Sequence, residues 1–136
     1  MSDLGAEIRQ WLAYAADDLA YGELGRGSLP RAASWSFQQA AEKALKAVWL
    51  MHRKRIPKTH DLAYLLSELA EYYTLPEPLT AAVLLLSEVT PAVRYPADDL
   101  PPVDLQLAKE YGVSSRTIVT WAQDIFQQWI NMSESP

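Results

Sequence analysis

Apolar positions near the start of the chain fall at Leu4, Ile8, Trp11, Leu12, Ala15 and Leu19. That spacing of threes and fours draws one stripe along a helix. Ser2 or Asp3 is placed to cap its start, and the stretch GELGRGSLP, Gly22 to Pro30, is read as its end. A second periodic run carries Trp35, Phe37, Ala40, Ala41, Ala44, Leu45, Val48 and Met51, with neither Pro nor Gly from Arg31 to Ile56. It predicts a helix that Pro57 stops, and its small residues Ala40, Ala41, Ala44 and Ala47 let another helix approach closely.

The remaining pattern is also helical. Thr59 or Asp61 suits the cap of a third helix through Leu62, Leu65, Leu66 and Leu69, ending near Tyr73. A fourth begins after Pro76 or Pro78 and buries Leu79, Ala82, Val83, Leu86 and Val89; beyond Pro91, Ala92 to Tyr95 adds a last turn before Pro96. The segment ADDLPPVD reads as an extended loop, because adjacent prolines exclude helix and the aspartates favour solvent. Asp104 starts a short helix through Tyr111, closed by Gly112, and Ser114 caps a final helix bearing Ile118, Trp121, Ile125 and Trp129. No stretch alternates apolar and polar residues as a strand does. The prediction is an all-α bundle of about five helices, one domain over residues 1–131, with residues 132–136 a disordered tail.

Composition narrows the chemistry. A chain of 136 residues buries enough surface for a single core. Five Trp and seven Tyr beside two Phe favour rings that pack while keeping a polar tip in water, which points to an interface and to a homodimer. The formal charge of -5 argues against general nucleic-acid binding, which depends on Lys and Arg neutralising phosphates, but is compatible with a local basic patch. With no Cys and two His, neither thiol chemistry nor a metal site is expected, and no cofactor is indicated. No run approaches the roughly 18 apolar residues of a membrane span, so the expected location is the cytoplasm, away from any membrane.

Three blocks carry polar residues of more specific character: FQQAAEKALKAVW from Phe37 to Trp49, PKTHDLAYLL from Pro57 to Leu66, and VRYP from Val93 to Pro96. In this order and spacing they resemble the HEPN family, named for higher eukaryotes, prokaryotes and proposed nucleotide binding. The likeness runs from about Trp11 to Trp129. It implies a helical bundle, a nucleotide ligand, and a partnership with a minimal nucleotidyltransferase in a toxin-antitoxin or nucleotide-transfer system.

Each polar cluster admits a plain reading beside the functional one. Gln38, Gln39, Glu42 and Lys43 line an inward groove facing Arg94, or Glu42 and Lys46 form a solvated i, i+4 pair worth a few tenths of a kcal/mol. Lys58, His60 and Asp61 stand at the mouth of the third helix, where Lys58 and His60 hold a phosphate, or Thr59 or Asp61 merely caps the helix and His60 packs over the turn. Arg94 binds a phosphate or a partner's carboxylate with Tyr95 stacked on a base, or it pairs internally with Glu42 or Asp17. In the ribonuclease branch of the family, as the resemblance implies, an Arg is followed closely by a His on the later helices, and no His follows Arg94 here. Arg53 and Arg55 do precede His60 at such a spacing, but in the turn after the second helix. No phosphate loop or catalytic triad signature is present, and Asp98 with Asp99 reads as a solvated acidic pair. The expectation is therefore a binding module with no catalytic residues, ribonuclease activity being the alternative.

Overall fold

The computed structural model describes residues 2–96 and 102–133. Five α-helices make up most of them: α1 Asp3–Gly25, α2 Pro30–Met51, α3 Leu62–Leu69, α4 Glu77–Leu86 and α5 Leu105–Ser133, with a 3₁₀ turn at Pro91–Arg94 after α4. There is no strand among the described residues. The all-α bundle read from the sequence is the fold.

The centre of the bundle is α2, which packs against α1, α3, α5 and the 3₁₀ turn. Its alanines explain how: Ala40, Ala41, Ala44 and Ala47 have no exposed surface, so neighbouring backbones lie close on several sides. Ile8, Leu12, Ala15 and Leu19 of α1 and Ile118, Val119, Ala122 and Ile125 of α5 supply the facing stripes. Caps follow local chemistry. Ser2 accepts from the Gly5 amide at 3.0 Å, Asp61 from Tyr64 at 3.1 Å, and Asp104 from Leu107 at 2.7 Å.

The stretch Gly22 to Pro30 does end α1, at Gly25, but Gly112 does not close a short helix. Gly22 and Gly112 both lie within continuous helices against the fully buried ring of Phe37. A Cβ at Gly22 would stand 2.5 Å from Phe37 Cε1, and one at Gly112 would stand 2.8 Å from its Cζ. Glycine here makes room for a ring and is not a stop signal. Ser114 is accordingly no cap; it is buried within α5, beside Ser115, whose hydroxyl donates to the Phe37 carbonyl at 2.8 Å.

The helix α2 also stops earlier than Ile56. The amide of Lys54 donates to the Trp49 carbonyl at 3.2 Å and that of Arg53 to the Leu50 carbonyl at 2.9 Å, with Arg53 at φ 57°. This is a Schellman ending with arginine where glycine is usual. At the chain's far end the helix continues through Met132 and Ser133, residues expected in the tail. The rest of that tail, and most of the expected ADDLPPVD loop with Asp98 and Asp99, lie outside the described residues.

The turn after α2 is held by aromatic packing. His52 stacks on Tyr72 with centroids 3.8 Å apart, its Nε2 meets the Tyr73 hydroxyl at 2.6 Å, and Tyr73 sets its edge against Trp121 of α5. Burial, reinforced by the nearby Lys54 charge and partly offset by Glu71, holds the His52 pKa below its ordinary 6.5. The unfolded chain therefore takes up this proton first as pH falls. The His52 contribution to stability is present above pH 6.5 and is lost as pH drops from there toward the folded value. Denaturant midpoints between pH 7.5 and 5.5 should accordingly fall more steeply for the wild type than for His52→Gln, and equal slopes would contradict this.

Candidate functional site

Glu42 and Lys46, expected to be a solvated pair, are instead buried, with exposures of 6% and 7%. The sequence pattern shows one helix face at a time, whereas α2 is covered on several. Lys46 Nζ donates to Glu42 Oε2 at 2.9 Å, and the second carboxylate oxygen accepts from His60 Nδ1 at 2.7 Å. Gln38, 1% exposed, donates to the His60 carbonyl at 3.1 Å and lies 3.4 Å from Glu42 Oε1. Gln39 in turn donates to the Gln38 side-chain oxygen at 2.8 Å. Every one of these groups bears on His60, whose side chain remains 55% exposed. A buried ion pair gains little net stability from its own attraction, because desolvation offsets it. What this pair achieves is the orientation of a surface imidazole.

Beside His60 stands Trp35, its ring centroid 6.1 Å from the imidazole, and the Arg94 guanidinium lies 4.5 Å over the same indole. Arg94 is also 5.6 Å from the exposed ring of Tyr95. Neither Glu42 nor Asp17 pairs with Arg94: Glu42 is taken by Lys46 and His60, and among the described residues no carboxylate bridges the arginine. The internal ion pair considered for Arg94 is thus absent from the described structure, and a stack on Trp35 stands in its place. Arg31 donates to the Val93 carbonyl at 2.9 Å, tying the 3₁₀ turn to the start of α2. Together Tyr21, Arg31, Trp35, Val93 and Arg94 line a cleft of about 280 Å³.

The other sequence candidates go elsewhere. Lys43 turns toward α1, pairing with Asp18 near the Tyr14 ring, so it does not join Glu42 in a groove facing Arg94. One residue along a helix is a rotation of about 100°, enough to separate them. Asp61 caps α3 and Thr59 accepts from the Asp61 amide at 3.1 Å, so the helix mouth is filled by the chain's own oxygens. Lys58 is exposed near that turn. By sequence Trp35 reads only as an apolar helix position, and Lys46 only as a salt-bridge partner; nothing local distinguishes an indole that carries an arginine from one that fills a core.

A five-helix bundle carrying a polar face built around one oriented imidazole defines the class of the protein. The HEPN domain profile matches residues 8–125, and the chain belongs to that family. A search of curated proteins finds no match. Among solved structures, TT1696 from Thermus thermophilus is similar at 28% identity with a TM-score of 0.76, covering 86% of this chain and 96% of that one. The archaeal HEPN homologue ST0689 shares 20% identity at a TM-score of 0.71, over 88% and 97% of the two chains. A HEPN domain protein from Thermotoga maritima, at 23% identity and a TM-score of 0.56, covers 93% and 99%. No helix among the described residues is long and apolar enough to cross a membrane.

Proposed function

We propose that the chain is a binding module whose working surface is the His60, Trp35 and Arg94 face, and that it takes a nucleotide there without itself performing catalysis. One observation carries the reading: a buried lysine, glutamate and glutamine are committed to orienting an imidazole that projects into solvent. Such an arrangement has no purpose in core packing, where hydrophobic residues of similar volume serve as well or better. The two arginines of the adjoining cleft supply cations for phosphate oxygens, and Trp35 supplies a flat apolar surface. The family context extends this to action beside a minimal nucleotidyltransferase, with the module as a homodimer in the cytoplasm.

The test is an ATP titration followed by calorimetry, with wild type and Arg94→Ala compared. Arg94 is exposed and stacked on Trp35, so its removal should weaken binding at least about tenfold while the melting temperature stays within about 2 °C. A large drop in melting temperature with affinity retained would make Arg94 structural and defeat the proposal.

A second reading, ribonuclease activity, gains something from the Glu42 to His60 hydrogen bond, since a carboxylate on an imidazole is also how a general base is held. It lacks a histidine after Arg94. The expected result is no RNA cleavage by the isolated chain; cleavage abolished by His60→Ala would favour this reading instead.

A further inference from the structure

We propose that Lys46 and Glu42 lock His60 with its proton on Nδ1, so that Nε2 presents a hydrogen-bond acceptor and the face selects ligands carrying a hydroxyl or amino donor at that point. The inference rests on the reading of this face as a nucleotide site and specifies what the ligand must offer it.

Donors and acceptors around the ring decide the tautomer. Glu42 is a carboxylate with one oxygen on Lys46 at 2.9 Å and the other on His60 Nδ1 at 2.7 Å. A carboxylate only accepts, so the Nδ1 atom must donate, and in a neutral imidazole this leaves the other nitrogen as an acceptor. Gln38 fixes the backbone of the same residue through its carbonyl, and the ring is held by its bond to Glu42. The anionic part of a ligand is served by Arg31 and Arg94 in the cleft, which Trp35 lines while its ring neighbours His60. Donor and anion are therefore read at separate places on one face. For a ribonucleotide the donor is either a ribose hydroxyl or the exocyclic amine of the base.

Glu42→Gln should invert the arrangement. The Lys46 ammonium claims the amide oxygen, so the amide nitrogen faces His60 Nδ1, which must now accept, and the proton moves to Nε2. In this scheme Glu42 and Lys46 are positioning residues that never touch the ligand.

Long-range proton–nitrogen NMR at pH 8.5 reads the tautomer directly, with His52→Gln used to assign the second histidine. The wild type should show the Nδ1–H pattern at His60 and Glu42→Gln the Nε2–H pattern; an Nε2–H wild type overturns the lock whether or not the variant folds. Binding is then compared for AMP, 2′,3′-dideoxy-AMP and IMP. Wild type should lose about tenfold or more for one analogue, the dideoxy compound if the donor is a hydroxyl and IMP if it is the amine, because an acceptor left dry is costly. The discrimination should vanish in Glu42→Gln. Equal binding of all three overturns the selection. If AMP fails to bind while the Nδ1–H pattern is present, the nucleotide reading of the face falls, and the ligand half of this proposal with it.

Discussion

Replacing Glu42 with leucine should destabilise the protein by about 3–5 kcal/mol, because it strands the Lys46 ammonium in a site 7% exposed. Lys46→Met should cost a similar amount by stranding the carboxylate, partly eased by the His60 hydrogen bond that remains. The double variant Glu42→Leu with Lys46→Met should recover most of the loss, since two apolar side chains of similar length then fill the space. Urea denaturation of the four proteins measures this. Additive losses would mean that the pair is more accessible to water than its burial indicates. Recovery of stability without recovery of ligand binding is the signature expected of a pair retained for positioning.

The second large effect lies in the core. Gly22→Ala and Gly112→Ala should each destabilise by about 1–3 kcal/mol, although alanine is the better helix former by up to about 1 kcal/mol. The added methyl would fall 2.5 or 2.8 Å from ring atoms of Phe37, which is fully buried and must shift against its packed neighbours. Gly25→Ala is the control. It ends α1 with nothing within 4 Å of the new methyl and no positive φ, so it should be neutral or stabilising by up to about 1 kcal/mol. If the three alanine variants melt alike, the packing role of the two buried glycines is wrong.

These glycines also show where the sequence stops being legible. The helical stripes of Leu4 to Leu19, Phe37 to Met51 and Ile118 to Trp129 are local signals, and each becomes a helix facing the core. Gly22 and Gly112 acquire their packing role from Phe37, a residue remote from both along the chain, so a local reading takes Gly112 for a helix end and Gly22 for no more than the start of a terminating stretch. Arg53 hides a helix end for the opposite reason, since it adopts the left-handed conformation that normally advertises itself as glycine. At the site, the KTHDL and RYP blocks point to His60 and Arg94 through resemblance. Their connection runs through Trp35, whose partly exposed stack depends on where the 3₁₀ turn lands. Lys43 and Lys46 illustrate the same limit: the i, i+4 spacing sets Lys46 beside Glu42, but only the surrounding helices decide that this pair is buried and that Lys43 meets Asp18.

Nucleotide binding at the His60, Trp35 and Arg94 face, as proposed, can be followed through the tryptophan side chains. Five tryptophans give five indole N–H signals in a proton–nitrogen spectrum, one of them at the proposed site. Titration with ATP should move the Trp35 indole signal and the backbone amides of His60 and Arg94 progressively to saturation. The indole signals of Trp121 and Trp129, on α5, should stay in place. Shifts centred on Trp121 and the Tyr72 to Tyr73 turn, or no shift anywhere at millimolar ATP, would contradict the assignment of this face.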